Sequence, residues 1–335
     1  MSSLQIARRH ALVSFAFVGL IACGDSLPAP DAAPPSTVPI SPAGVFAVTS
    51  TLDLRLPPAA APAIATLTAA TDGPDDPTRY LIDRMIGSLP DGSVKAIATV
   101  AAPYIAAYIN ARLVEIAPRF VAGIEGIATG ISRIATHLGT LETLQVGDDG
   151  TGVRTITAVR FEVGGAKTVV PLADAGLADI TAAVRVTLDA TGRFAISEHA
   201  HDLPYGAILR LGLVRAVIPS VEPAAHDLAG ALARLLDCDR LAAVVADGIG
   251  LGSAALYAHA CRATMTAIAS EIEGRIAAID GAALGIEVAG SASAFDDNGD
   301  GRADELRAGR WTGAVYTGPD RELINAASFS GAAAR

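Results

Sequence analysis

Hydrophobic and polar residues alternate along several short segments of the chain, the pattern of half-buried β-strands. Between two of these segments, residues 190–192 (Ala-Thr-Gly) have the composition of a hairpin turn. The pattern therefore predicts antiparallel strands joined by short turns. The predicted strands cover residues 45–56, 153–163, 184–188, 193–196, 286–295 and 306–316.

Other segments show the spacing of amphipathic helices. In residues 118–141, six apolar side chains recur at steps of three and four and predict one face of a long helix. Such a stripe is typical of a helix packed on a core, and the alternative is that it lines a hydrophobic ligand or a partner helix. The stripe consists of Ile124, Ile127, Ile131, Ile134, Leu138 and Leu141.

These elements together predict an α+β fold. Long apolar or amphipathic helices would combine with antiparallel β-hairpins, and a sheet would wrap the helices. Residues 45–335 would form one domain, or two subdomains over residues 45–220 and 221–335.

The first 22 residues have the pattern of a secretory signal peptide. Arg8 and Arg9 precede an apolar run of twelve residues, which as a helix would rise about 18 Å and fall short of a bilayer core of about 30 Å. The run ends in Leu-Ile-Ala-Cys at positions 20–23, which resembles the lipobox of bacterial lipoproteins. The resemblance implies cleavage before Cys23 and lipidation of its thiol, whereas an ordinary signal peptide would leave this cysteine unmodified.

The same resemblance implies a location in the bacterial cell envelope. Gly24 follows the cysteine, and the lack of an acid there favours the outer membrane over the inner membrane. Residues 23–44 are rich in Pro, Ala and Ser, a composition that predicts an extended tether between the lipid and the domain. The expected partner is therefore a membrane, contacted through the N-terminal lipid.

Composition adds two exclusions. The chain of 335 residues is 51% hydrophobic and 18% charged, which excludes disorder throughout. Its formal net charge is −10, and loss of residues 1–22 would leave −12. A nucleic-acid binder needs a basic face, so this acidic balance argues against that class.

Cys238 and Cys261 remain once Cys23 is lipidated. An even number of cysteines in an exported protein predicts a disulfide, and two buried free thiols are the alternative. Both lie in segments that read as consecutive helices, residues 222–246 and 253–279, separated by a glycine-rich turn.

One motif predicts a metal. Residues 296–305 place oxygen-bearing groups at steps of two and resemble the short calcium loops of EF-hand and thrombospondin type 3 repeats. The resemblance departs from a full EF-hand at Arg307, which stands where a bidentate Glu belongs. The alternative is a solvated Asp-Asn-Gly turn. The predicted calcium ligands are Asp296, Asn298, Asp300, the carbonyl of Arg302, Asp304 and Glu305.

Three functions fit these features. The first is a non-enzymatic anchored lipoprotein whose interior binds a lipid or another hydrophobic ligand. The second is a structural or protein-interaction module at the cell surface. The third is a hydrolase, which would need a polar pocket around Ser197, His199 or His201. We expect the first, because the sequence contains no catalytic signature motif.

Overall fold

The computed structural model describes residues 40–55, 61–62, 65, 79–250, 252–280, 284–317 and 320–334. The chain divides into two compact units, residues 1–38 and 39–335, and all the described residues belong to the second. The predicted signal peptide and Cys23 therefore lie outside the described residues.

Eight antiparallel strands form a closed barrel in the order β1, β2, β3, β5, β6, β7, β8 and β10, and β10 pairs again with β1. Two further strands extend the wall, since β4 pairs with β3 and β9 pairs with β8. The strands are β1 Gly44–Asp53, β2 His137–Val146, β3 Thr151–Val163, β4 Ala166–Pro171, β5 Ile180–Leu188, β6 Arg193–Leu203, β7 Leu284–Phe295, β8 Glu305–Thr317, β9 Asp320–Leu323 and β10 Ala326–Ala333.

The helices lie at one end of this barrel. β1 ends beside the start of β2 at the Asp53–His137 pair, and β6 ends beside the start of β7 at Leu203–Leu284, so both helical connections leave from the same end. A π-helical turn, Leu213–Val217, joins α5 to α6. The helices are α1 Arg79–Gly87, α2 Ser93–Asn110, α3 Leu113–Ile116, α4 Phe120–Thr136, α5 Tyr205–Gly212, α6 Ile218–Val221, α7 Leu228–Leu236, α8 Cys238–Ile249 and α9 Ala254–Asp280.

The predicted fold class is wrong. A closed barrel with helices at one end dominates the described residues, and within them no sheet wraps long helices. Most of the predicted strands are present, but their alternation specifies only local hairpins. Closure depends on β10, which pairs with β1 on one side and with β8 on the other. Strands from residues 45–220 and strands from residues 221–335 both contribute to this barrel.

The predicted helix over residues 118–141 is also wrong over its last five residues, 137–141. Helix α4 ends at Thr136, and β2 begins at the next residue. Leu138 and Leu141 match the helical spacing by coincidence, whereas the period of the segment is two. Polar side chains at two of the inward positions hid this alternation. The inward positions of β2 are Leu138, Thr140, Glu142, Leu144 and Val146.

The predicted disulfide is confirmed. Cys238 opens α8 and Cys261 lies in α9, and the two Cα atoms are 5.7 Å apart. Asp237, in the left-handed region at φ 53°, separates α7 from α8 and caps α8 by accepting a hydrogen bond from the Arg240 amide. The bond therefore ties together two neighbouring helices at the helical end of the barrel.

Candidate functional site

Polar side chains fill the middle of the barrel lumen. They occupy inward positions of five strands, and all are buried. Several contacts join strands that are not neighbours in the wall, such as β3 with β6 and β1 with β8, so these contacts cross the interior. We call this set the lumen cluster: Ser50, Thr140, Glu142, Arg154, His199, His201 and Trp311.

A bidentate ion pair lies at its centre. The Nε and Nη2 atoms of Arg154 donate to the two carboxylate oxygens of Glu142 at 2.6 and 2.8 Å. The side chains are only 2% and 1% exposed. Burial by itself would raise the pKa of Glu142, but the charge and hydrogen bonds of Arg154, with help from Thr140 and Ser50, hold that pKa below its ordinary value. Glu142 is therefore a carboxylate in the folded protein.

The same guanidinium determines the state of His199. Nη1 of Arg154 lies 3.0 Å from Nε2 of His199, and Nδ1 of His199 lies 2.8 Å from the carbonyl of Ser197. A carbonyl only accepts and a guanidinium only donates, so Nδ1 carries the proton and Nε2 the lone pair. Burial lowers the pKa of His199, which agrees with this neutral ring.

Trp311 forms the apolar wall of the cluster. The Arg154 guanidinium lies 4.4 Å from its ring centroid, and its indole N–H donates to Ser50 Oγ at 3.1 Å. Its other face packs on Phe329, with ring centroids 4.4 Å apart. Arg154 is thus surrounded by an acid, an imidazole and an aromatic ring.

His201 differs from the other members because both of its ring nitrogens lack a hydrogen-bond partner. It is the only such buried side chain among the described residues, and it is 8% exposed. Burial, with the nearby charge of Arg154, lowers its pKa to about 4, so the ring is neutral at physiological pH. Leaving a buried polar atom without a partner costs about 1–3 kcal/mol of folding free energy, so a partner for either nitrogen would be favourable. The neutral ring can donate one hydrogen bond and accept one.

Strand β8 changes partners beside this cluster. It pairs with β10 over residues 305–310 and with β9 over residues 314–317, and between the two ladders the Gly313 carbonyl accepts a hydrogen bond from the Ile324 amide. A cleft of about 700 Å³ lies there, and Trp311 is part of its wall. Trp311 is thus the member of the lumen cluster that borders this cleft.

The hydrolase hypothesis gains no support from this geometry, and neither does a metal ion bound between the two histidines. Ser197 is exposed, and its Oγ accepts a hydrogen bond from the Arg185 amide at 3.0 Å, so it does not serve the histidines as a nucleophile. His199 and His201 do lie side by side, with ring centroids 6.2 Å apart. However, Arg154 occupies Nε2 of His199 and both oxygens of Glu142, and its positive charge opposes a cation.

The predicted calcium loop joins β7 to β8, as its flanking strands predicted. Asp296 accepts hydrogen bonds from the amides of Gly299, Asp300 and Gly301, at 2.7, 3.2 and 2.8 Å. Asp304 accepts from the amides of residues 297 and 298. These bonds turn the side-chain oxygens toward the loop.

The remaining predicted ligands have varied environments. Asn298 accepts from the Asp300 amide, Asp300 accepts from the Arg302 amide, and Glu305 pairs with Arg307. The loop also holds the start of the domain, since Ser41 bonds Gly301 and Ala303 through its backbone. Across the described part of the chain, no group of three or more His, Cys, Asp or Glu side chains is arranged to hold a metal ion.

The predicted ligand-lining stripe is mostly a core face. Its four isoleucines on α4 are at most 2% exposed. The glycines beside them permit close packing, because a Cβ atom on Gly123 or Gly130 would lie about 2.5 Å from Leu235 or Val217. A cleft of 570 Å³ borders the same helix, but none of the six stripe residues lines it. Leu138 and Leu141 belong to β2.

Sequence reasoning identified the two histidines and missed Glu142, Arg154 and Trp311. Alternation in β3 shows that Val153 and Arg154 face opposite sides, and the apolar residue would be expected inside. In the structure Val153 is exposed and Arg154 is buried. The only available signal was that Arg154 shares its parity with Ile156, another inward residue.

Comparisons with models of protein families, with curated proteins and with solved structures found no significant match to this chain.

Proposed function

We propose that this chain is a lipid-anchored, non-enzymatic binding protein of the bacterial cell envelope, and that its barrel takes a small polar ligand at His201. The observation that carries the proposal is the buried His201 ring, whose two nitrogens lack partners inside a lumen where the other polar groups are paired. Eight-stranded barrels have interiors filled by side chains or wide enough for one small ligand.

The lumen cluster also defines the chemistry of the ligand. A neutral imidazole offers one donor and one acceptor, which suits a hydroxyl or an amide group. Arg154 and Glu142 neutralise each other, so a net charge on the ligand would be buried without compensation. We therefore infer a small neutral molecule, and this polar chemistry is preferred over a lipid or another hydrophobic ligand.

The cleft between β8 and β10 gives the expected route of entry. A molecule in this cleft would meet Trp311 first, and the Arg154 guanidinium lies on that ring. The indole packs on the His199 ring, which in turn lies beside His201, so an apolar surface and polar atoms occur together, a combination typical of small-molecule sites.

The test is native mass spectrometry of the full chain purified from cells, compared with a denatured sample. We expect a small mass to be released from the wild type and to be absent from His201→Phe, because a phenyl ring fills the site without nitrogen atoms. His259→Phe, a change of the same kind on the exposed surface of α9, is the matched control and should retain the mass. A wild type that carries no small molecule would contradict the proposal.

The location follows from the N-terminal resemblance to lipoproteins. Lipidation of Cys23 would hold the domain at a membrane surface, with the outer membrane favoured over the inner membrane. Two or more acyl chains are enough for stable anchoring.

We also propose that the β7–β8 loop binds calcium. Its donor set fits a hard cation because it consists of oxygen atoms alone: carboxylates of Asp296, Asp300 and Asp304, the amide oxygen of Asn298 and a peptide carbonyl. An ion there would bridge the hairpin and, through the Ser41 contacts, the start of the folded domain.

Calcium should stabilise the wild type and have no effect on Asp300→Ala. With a dissociation constant of about 10⁻³ M and free calcium tenfold higher, the gain would be about 1.4 kcal/mol, read as a rise in melting temperature that chelator reverses. Asp148→Ala in the β2–β3 turn is the control, since it also removes one exposed acid, and it should keep the response. An equal response in all three proteins would exclude the site.

A further inference from the structure

Helix α2 has two apolar faces, of which only one is covered. Its buried face, which includes Ala98, Ile105 and Ile109, packs into the core. The opposite face is open and uncharged, and it extends over more than three turns of the helix. The open face consists of Ala96, Ile97, Val100, Pro103, Tyr104, Ala107 and Tyr108.

The exposure of this face is high. Val100 is 79% exposed and Tyr104 is 80% exposed, and Ile97 and Tyr108 continue the face on either side. Positions 97, 100, 104 and 108 are neighbours on a helix surface, so their side chains form one patch. A contiguous apolar patch of this kind marks an interaction site more often than single exposed residues do.

The charges near the patch are few and do not oppose a lipid surface. Helix α2 contains no acid, although the chain carries a formal charge of −10. Its only charged residue, Lys95, pairs with Asp91 just before the helix. Past the other end, the Arg112 guanidinium lies 4.4 Å from the ring centroid of Tyr108. Apolar residues with tyrosines, free of acids on the helix itself, are a composition that suits the membrane interface.

We propose that the open face of α2 lies on the lipid surface to which Cys23 anchors the chain. This inference rests on the proposed lipid anchoring. The predicted tether between Cys23 and the described domain, residues 24–39, would reach about 50 Å when extended. It joins the barrel at the start of β1, opposite the helical end, and the ten residues of β1 span only about 33 Å, so this reach is enough to bring α2 to the lipid. Such a tether keeps the lipid at high effective concentration, which favours lipid over a second copy of the chain. None of the described helices has the length and apolarity to cross a bilayer, and α2 would lie along the interface.

The experiment places an indole on the face. The full mature chain, with Tyr104→Trp, is reconstituted through its own anchor into vesicles of phosphatidylethanolamine and phosphatidylglycerol with brominated acyl chains. Val153→Trp is the matched control, because it replaces an exposed apolar residue on the wall of the barrel. Trp311 is buried in the barrel and contributes the same background to both variants. We expect bromine to quench the introduced indole of Tyr104→Trp and to leave that of Val153→Trp unquenched.

The inference would be overturned if Tyr104→Trp were not quenched, or if both variants were quenched equally. It would also be overturned if the indole became shielded without vesicles and this shielding increased with protein concentration, because the partner would then be a second copy of the chain. The intact mass reports the anchor separately, because lipidation adds acyl chains that Cys23→Ser removes. Quenching in a chain without acyl mass would refute the anchoring and support the docking of α2. Acyl mass without quenching would support the anchoring and refute the docking of α2.

Discussion

Replacing Arg154 by Met should lower the free energy of unfolding by about 3–5 kcal/mol, the largest effect expected of a single substitution in the lumen cluster. The change leaves the Glu142 carboxylate without the guanidinium that holds both of its oxygens. An unpaired buried charge is far more costly than the loss of a neutral contact, because a carboxylate cannot recover its hydration inside the barrel. Urea unfolding at neutral pH measures the difference.

A double replacement distinguishes the loss of the ion pair from the cost of leaving one charge buried alone. Glu142→Leu combined with Arg154→Met removes both charges, and its stability should lie well above that of Arg154→Met alone. Arg160→Met is the control on the same strand, because Arg160 is only half-buried and bonds Thr51. It should cost less than about 1 kcal/mol. If the double variant were as unstable as the single one, the charge of Glu142 would not be the cause.

Acidification should destabilise the folded protein through His201, the second large effect. The pKa of this histidine is lowered to about 4 by burial, while in the unfolded chain it has its ordinary value near 6.5. The unfolded state therefore binds the proton more tightly, so the stability is fully present above pH 6.5 and falls as the pH drops toward 4. The total loss should be about 3 kcal/mol, of which about 1 kcal/mol appears between pH 6.5 and 5.5.

Unfolding by urea at several pH values between 6.5 and 5.5 isolates this contribution, because ordinary carboxylates stay ionised in that window. His201→Gln cannot take up the proton, so its stability should depend less on pH than that of the wild type. His199, whose pKa burial also lowers, contributes in the same direction and remains in both proteins. Identical slopes in the two proteins would show that His201 is not the group responsible.

The candidate site was partly accessible from the chain. The sequence named His199 and His201 together as candidate site residues, and in the structure their rings lie side by side on β6. Glu142 and Arg154 were missed because a charged residue at an alternating position is normally assigned to the solvent side. Arg154 and Glu142 lie diagonally across the β2–β3 hairpin, and only closure of the barrel puts the face that carries them inside.

Helix α2 is a second case in which the sequence does not show which side faces the core. Its sequence is apolar on all sides, which predicts a helix buried on all sides. The structure covers only the face of Ala98 and Ile109 and leaves Tyr104 outside. Neighbouring elements decide which side of such a helix is covered.

By itself the sequence determined the features that depend on nearby residues. These are the hairpin turn at residues 190–192, most strands, and the disulfide between two consecutive helices. The tertiary structure decided whether the strands closed, where α4 ended, and which side of each strand faced the lumen. Closure joins β1 to β10, strands from opposite ends of the chain, and no local pattern contains that information. Local propensity sets the period of an element, but the direction in which it buries its side chains depends on partners distant in the chain.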